Sequence, residues 1–179
     1  MFKSLLPTVC LLLGFNVFAS SPLQTVEKID ILKYMGKWYE IARYENSFQK
    51  KCGGTTAEYK LLGNSVQVIN TCEKLGTTRE LQIAHGTAFI TDKNSNSKLK
   101  VSFVPFFQRW GWFGGKYWIL EIGENYEYAV IGEPKRNFLW ILSRTKRLPP
   151  ETYNMLLDRI ENVHHFDLGK LRMSKVIGE

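Results

Sequence analysis

The sequence predicts an all-β protein, an eight-stranded antiparallel up-and-down barrel with one C-terminal α-helix packed on its outer wall. Between residues 36 and 144, short runs of alternating apolar and polar residues are separated by turn residues, which is typical of strands with one buried face. About eight such runs occur, the number whose closed barrel holds one small ligand. Beyond them, apolar residues recur at helical spacing from Tyr153 to Val163.

The first 19 residues have the features of a secretory signal peptide. Lys3 supplies the positive charge, an apolar stretch follows, and residues 17–19 fit a cleavage site. A membrane anchor is the alternative, but the stretch is shorter than the about 20 residues that span a bilayer. Cys10 lacks the small residues that precede a lipid-attachment cysteine. We therefore expect residues 20–179 to form one exported domain, periplasmic or secreted and not lipid-anchored.

The first predicted strand runs from Gly36 to Tyr44. By alternation, its inward face carries Trp38, Glu40, Ala42 and Tyr44. The last predicted strand ends in Arg144, whose guanidinium can stack on the indole of Trp38 at the closed end of the barrel. We assign structural roles to Gly36, Trp38 and Arg144. Glu40 either anchors a polar group of a ligand or hydrogen-bonds a tyrosine or a buried water, and the second is favoured.

Two cysteines remain once Cys10 is removed with the signal peptide, and they predict a disulfide in an exported protein. Residues 55–61 and 66–72 form a predicted hairpin that turns at residues 63–64. This hairpin places Cys72 opposite about Thr55, a few residues from Cys52. The alternative, a catalytic thiol at Cys52, is disfavoured because no histidine lies near it in the sequence.

Four further segments complete the predicted barrel: residues 78–90, which bend at Gly86, then 98–103, 116–122 and 126–131, before the last strand at 137–144. The helix begins at residues 149–151, where proline occupies the first turn. Its apolar face is expected to pack on the outer wall and consists of Tyr153, Leu156, Leu157, Ile160 and Val163. The tail from residue 166 to residue 176 is expected to add a short strand.

The segments GKWYEIARYENSFQKKC, TAEYKLLGNSVQVINTC and LWILSRT resemble the bacterial lipocalins, kin of apolipoprotein D and the plant temperature-induced lipocalins. The resemblance runs from about Ile29 to about Val176. A lone Gly-x-Trp motif is weak evidence, but together with the final WILSRT and the strands between them it is specific. The resemblance implies a barrel that binds a lipophilic molecule.

The expected cavity is lined by small and aromatic side chains, which is the usual make-up of an apolar ligand site. A solid core is the alternative. On the predicted strands at residues 116–122 and 126–131 the apolar run is continuous, so alternation does not show which side chains face inward. There the resemblance implies that Tyr117 and Ile119 face inward. The candidate ligand-binding residues are Ala42, Tyr44, Ala57, Tyr59, Val68, Gly86, Val101, Phe103, Tyr117, Ile119 and Trp140.

Five aromatic residues crowd the segment between the fifth and sixth predicted strands: Phe106, Phe107, Trp110, Trp112 and Phe113. The resemblance places this loop at the open mouth of the barrel. The rings either fold down as a lid or enter a bilayer interface, a use that the nearby Arg109 and Lys116 favour.

The sequence has no H-E-x-x-H, phosphate-binding or G-x-S-x-G motif, so we expect no metal, no cofactor and no catalytic residues. The net charge of +7 is spread along the chain, which favours contact with anionic lipid headgroups over nucleic acid. We expect a non-enzymatic carrier of a fatty acid or lysophospholipid in the cell envelope, either monomer or homodimer. The alternatives are a lipocalin-type isomerase or de-epoxidase, and a secreted interaction protein that uses the aromatic loop.

Overall fold

A computed structural model describes residues 21–76, 80–104 and 114–179. A single helical turn, α1 (Ile31–Tyr34), precedes eight strands. These are β1 (Gly36–Tyr44), β2 (Cys52–Leu62), β3 (Ser65–Lys74), β4 (Leu81–Ile90), β5 (Lys98–Ser102), β6 (Gly115–Ile122), β7 (Tyr128–Gly132) and β8 (Leu139–Ser143). Helix α2 (Pro150–Asp158) follows, continues as a π-helix (Arg159–Val163), and leads through a 3-10 turn (Leu168–Lys170) to β9 (Leu171–Met173). The expected signal peptide lies outside the described residues.

The eight strands form a closed antiparallel barrel. Each strand pairs with the next, and β8 pairs back with β1. Closure is visible at Tyr39, which lies opposite Thr56 of β2 on one edge and Ser143 of β8 on the other. The predicted fold class is therefore confirmed. Turn α1 covers one end, called the closed end below, and the last residues of β1, β3, β5 and β7 lie at the other end, the mouth.

A bulge in β1 changes which residues of this strand face inward. Glu40 lies opposite Leu142, but Ala42 lies opposite Ile141, so two residues of β1 match one residue of β8. Beyond the bulge, Ala42 and Tyr44 pack in the outer cluster beneath α2. The expected inward position of Ala42 and Tyr44 is wrong, because one extra residue reverses the faces of everything that follows it in the strand.

The disulfide between Cys52 and Cys72 is confirmed, with the two Cα atoms 5.4 Å apart. The register of β2 and β3 places Thr55 opposite Cys72, as the predicted hairpin requires. The C-terminal tail crosses the start of β2 beside this bridge. A Cβ atom on Gly54 would lie 2.7 Å from backbone atoms of the tail, so only glycine fits there.

Strand β9 pairs with β1 where β1 has separated from β2, with Ala42 opposite Met173 and Tyr44 opposite Leu171. This is the short extra strand expected in the tail. On the outer wall, Leu156 and Ile160 are fully buried against the barrel, as predicted. Val163 is 51% exposed, contrary to prediction.

The π-helix explains the exposure of Val163. The backbone NH of His164 donates to the carbonyl of Arg159 at 3.0 Å, an i→i+5 bond that shifts the phase of the helix. As a result Val163 turns away from the barrel, and the next residue, His164, is buried instead. Within the described ranges, no helix is long and apolar enough to cross a membrane.

Candidate functional site

The closed end of the barrel is built around Trp38, which is fully buried. Its indole NH donates to the carbonyl of Tyr34 at 2.9 Å, so α1 and β1 are tied together. The guanidinium of Arg144 lies 3.8 Å from the centre of the Trp38 ring and donates to carbonyl oxygens within residues 33–37. Gly36 has φ of 91°, a conformation that residues with a side chain rarely adopt. These contacts close this end of the barrel to solvent.

The hydroxyl groups of Tyr34, Tyr59 and Tyr117 lie together inside the barrel, next to the closed end. The hydroxyl of Tyr117 lies 2.6 Å from that of Tyr34 and 3.0 Å from that of Tyr59. Burial raises the pKa of all three phenols, that of Tyr59 to about 12. At neutral pH the tyrosine cluster therefore consists of uncharged hydroxyls that satisfy one another, and the deepest part of the interior carries no charge.

The inner wall of the barrel between the closed end and the mouth is mostly apolar. The inner cluster contains seven of the predicted ligand-binding residues: Ala57, Tyr59, Val68, Val101, Tyr117, Ile119 and Trp140. Gly86 lies opposite Val68, and a Cβ atom on it would lie 2.8 Å from the Phe103 ring, so this ring covers the glycine. The space left beside the tyrosine cluster is about 10 Å³, room for about one water.

Towards the mouth, the interior becomes polar. The carboxylate of Glu40 accepts hydrogen bonds from Arg43 at 2.5 Å, Gln49 at 2.8 Å and Ser174 at 2.6 Å. The amide oxygen of Gln49 accepts a bond from the indole NH of Trp140 at 3.1 Å. Glu40 thus has a guanidinium, an amide and a hydroxyl as partners, and none of them is the tyrosine named in the sequence analysis.

An aromatic group lies at the rim above this polar layer. The rings of Phe138 and Trp140 are stacked with centroids 5.9 Å apart, and the Phe48 ring lies 5.8 Å from Phe138. Phe48 is 64% exposed in the connection between β1 and β2. The five predicted mouth aromatics, Phe106, Phe107, Trp110, Trp112 and Phe113, lie outside the described residues.

A partly buried ion-pair group lies outside the barrel, between β6 and the π-helix. The carboxylate of Glu121 is 2.6 Å from the ring of His164 and 2.7 Å from Arg159. Burial alone would raise the pKa of Glu121, but the hydrogen bonds from His164 and Arg159 outweigh it and the pKa is lowered. Among the described residues, no cluster of three or more His, Cys, Asp or Glu side chains has the arrangement of a metal site.

Comparison with known proteins decides the family. The sequence matches the lipocalin-like domain family over residues 29–175. It is 37% identical to temperature-induced lipocalin-1 of Arabidopsis thaliana over 152 residues, which covers 83% of this chain and 80% of the relative. The chain belongs to the lipocalin family.

Other relatives of this lipocalin include two further groups. Outer membrane lipoprotein Blc of Citrobacter freundii is 34% identical over 163 residues, covering 87% of this chain and 86% of the relative. Apolipoprotein D of Mus musculus is 34% identical over 149 residues, covering 78% and 72%. Among solved structures, insecticyanin of Manduca sexta matches with a TM-score of 0.66 and 22% identity over 86% of this chain and 84% of that one. This last likeness supports the fold alone.

Sequence reasoning missed several residues of this lipocalin's interior. Tyr34 lies on a one-turn helix before the first strand, and Gln49 lies in a connection, so neither has an alternation pattern to reveal it. Arg43 faces inward only because of the β1 bulge. Thr55 and Asn70 follow the alternation of β2 and β3. Alternation was sufficient to predict that these two residues face inward, but their polar side chains did not suggest that they line an apolar cavity.

Proposed function

We propose that this lipocalin binds a lipophilic molecule, a fatty acid or a lysophospholipid, inside its barrel and carries or stores it in the cell envelope. The observation that carries the proposal is the apolar inner wall between the tyrosine cluster and the polar layer. The residues proposed to contact the ligand are Ala57, Tyr59, Val68, Gly86, Val101, Phe103, Tyr117, Ile119 and Trp140. Ala42 and Tyr44 are excluded because they pack in the outer cluster.

Ligand entry requires the mouth to rearrange. The space beside the tyrosine cluster, about 10 Å³, is far smaller than the volume of an acyl chain. The connection between β1 and β2 contacts the interior through Gln49, whose bonds to Glu40 and Trp140 are the contacts that a ligand would displace. In this proposal the connection is the moving part, and the disulfide at Cys52 limits how far it moves.

Exposed apolar side chains around the mouth support a contact with a lipid bilayer. They come from three connections or strand ends: Phe48, Leu75, Leu81 and Val104. Lys50 and Lys51 are exposed beside Phe48 and suit anionic headgroups. Apolar rings rimmed by cations are typical of peripheral membrane contacts. The proposal includes Phe106, Phe107, Trp110, Trp112 and Phe113 in the same surface.

Export of the domain is part of the proposal, with residues 1–19 as the signal peptide and no lipid anchor. The disulfide supports an oxidising compartment. The enzymatic alternative has less support. The sulfur of Cys52 is held in the disulfide, and the one carboxylate placed in the polar layer, Glu40, is paired with Arg43. A binding role therefore fits the described interior better than isomerase or de-epoxidase chemistry.

The test is native mass spectrometry of protein purified without detergent, followed by titration with oleate and lysophosphatidylcholine. We expect one lipid per chain and saturable binding. Val68→Phe, which fills the inner wall, should weaken binding at least about tenfold. The matched variant Gln67→Phe changes the neighbouring position on the opposite face of β3 and should leave binding unchanged. Absence of any saturable binding by wild type would reject the carrier function and favour the interaction protein.

A further inference from the structure

Three buried polar atoms have no hydrogen-bond partner within the described part of the chain: Nε of Arg43, Oγ1 of Thr55 and Oδ1 of Asn70. Buried polar groups in native proteins are nearly always paired, since an unpaired one has lost its hydration without compensation. Three such atoms on neighbouring strands therefore point to a partner other than the described residues.

The register of the strands places two of these atoms on one patch of the inner wall. Asn70 lies between Ala57 of β2 and Ala84 of β4, neither of which has a polar side-chain atom. Thr55 lies opposite Cys72, two residues closer to the mouth than the pair of Ala57 and Asn70. Thr55 and Asn70 are diagonal neighbours on the same face, a relation close enough for one small group to contact both side chains.

Arg43 supplies the third atom from β1. Its two terminal nitrogens are already engaged, with the Glu40 carboxylate, the Ser174 hydroxyl and the carbonyls of residues 49 and 52, which leaves Nε alone. Glu40 lies one position beyond the last β1–β2 pair, Tyr39 with Thr56, and so faces the position of Thr55. Because the Glu40 carboxylate lies 2.5 Å from a terminal nitrogen of Arg43, it already balances the charge of this guanidinium.

We propose that Arg43, Thr55 and Asn70 form a subsite for the hydroxyl groups of a glycerol ester, with the acyl chain below them against the apolar wall. A hydroxyl both donates and accepts, so it can pair with the amide oxygen of Asn70, and a second oxygen of the same glycerol ester can accept from the Nε–H of Arg43. A fatty-acid carboxylate fits poorly, because it would add a second negative charge beside the buried Glu40. The inference rests on the proposed function and narrows its ligand class.

The test compares four probes with the same oleoyl chain: 1-monooleoylglycerol, oleoyl-lysophosphatidylcholine, oleate and methyl oleate. Equimolar competition is followed by native mass spectrometry at pH 8. Wild type should take the two glycerol esters about tenfold better than oleate or methyl oleate. The first two probes distinguish a neutral glyceride from a lysophospholipid as the source of the hydroxyl.

The decisive variant is Thr55→Val with Asn70→Leu, which keeps similar side-chain sizes and removes both polar groups. Its preference for the glycerol esters should fall to about twofold or less. Thr71→Val, on the opposite face of β3 next to Asn70, should keep the full preference. The ligand-free double variant should melt at or above the wild-type temperature, because it removes unpaired buried atoms; a merely structural role for Thr55 and Asn70 predicts a lower melting temperature.

The outcomes separate the subsite from the proposed function. If no probe binds wild type saturably, the carrier function itself fails. If the probes bind but wild type shows no preference, or the double variant keeps it, the hydroxyl subsite is wrong and the carrier function stands.

Discussion

The guanidinium carbon of Arg144 lies 3.8 Å from the centre of the Trp38 ring, although the two residues are at opposite ends of the barrel sequence. The same guanidinium donates to the carbonyls of Lys33, Met35 and Lys37, so one side chain joins α1, β1 and β8. Burial lowers the pKa of Arg144, but a guanidinium stays charged at any physiological pH. The closed end of the barrel therefore depends on a single charged group that stacks and donates at once.

Replacing Arg144 should destabilise the fold without changing the site. Arg144→Ala uncovers Trp38 and leaves several carbonyl oxygens unpaired, and we expect a loss of about 2–4 kcal/mol in the free energy of unfolding. Urea denaturation measures it. Arg144→Lys keeps the positive charge but loses the planar guanidinium, which both stacks on Trp38 and donates several hydrogen bonds. Its loss in the free energy of unfolding should therefore be smaller than that of Arg144→Ala. Reduced lipid affinity at unchanged stability would contradict the structural role.

The disulfide should make a separate contribution to stability. Cys52 and Cys72 are 20 residues apart, and closing a loop of this length is worth about 3 kcal/mol by chain entropy. The variant Cys52→Ala with Cys72→Ala should lose about that amount in urea denaturation. Dithiothreitol should destabilise wild type and leave this variant unaffected, which is the matched control. Labelling of both thiols in folded, unreduced wild type would show that the bridge is absent.

The sequence was sufficient for those parts of the fold that depend on local pattern. The hairpin that sets Cys72 opposite Thr55 follows from a tight turn and regular alternation, which the structure retains. The positions of Ala42 and Tyr44 did not follow, because the bulge after Glu40 is a response to pairing with β8, far away in the sequence. The exposure of Val163 likewise results from an i→i+5 bond that apolar spacing does not reveal.

The sequence was sufficient to predict that the interior of the barrel is largely apolar. It did not predict the tyrosine cluster near the closed end or the polar layer near the mouth. Alternation found Ala57, Val68 and Val101, since each lies in a regular strand. The tyrosine cluster needs Tyr34, which enters the barrel from a helical turn, and the polar layer needs Gln49 from a connection. Contacts made by turns and connections depend on the closed barrel that brings them together, and no local period in the sequence encodes them.

The ion-pair group on the outer wall predicts how stability changes with pH. The pKa of Glu121 is lowered in the folded state from its ordinary value of 4.5. A depressed carboxyl pKa stabilises the fold above the unfolded-state value, and this contribution is lost as pH falls through the folded-state value. We expect Glu121→Gln to melt lower than wild type at pH 7, and the difference to shrink steadily below about pH 4.5.

The control for this prediction is Glu124→Gln. Glu124 lies three residues further along the chain, and its side chain is exposed in the turn after β6. Its melting curve should follow that of wild type throughout the pH range. A constant difference between Glu121→Gln and wild type from pH 7 to pH 3 would show that Glu121 acts through packing and not through its charge.

Trp140 should report ligand entry. Its ring packs against the inner cluster and stacks on Phe138, and its NH donates to Gln49 at 3.1 Å. A lipid that displaces Gln49 breaks this bond and replaces polar neighbours of the indole with an acyl chain, so the emission of Trp140 should change. Below their micelle-forming concentrations, oleate and lysophosphatidylcholine should produce saturable quenching with micromolar affinity, about −8 kcal/mol.

The chain has five tryptophans, so the measurement is comparative. Trp140→Phe should remove most of the quenching. Trp118→Phe should not, because Trp118 packs in the outer cluster and carries Lys98 over its ring at 5.0 Å, on the far side of the wall from the ligand. Quenching that survives in Trp140→Phe but disappears when Trp110 and Trp112 are replaced would place the lipid at the mouth loop. Because the aromatic loop and the interior use different tryptophans, these three variants tell a lipid inside the barrel from a lipid held against its rim.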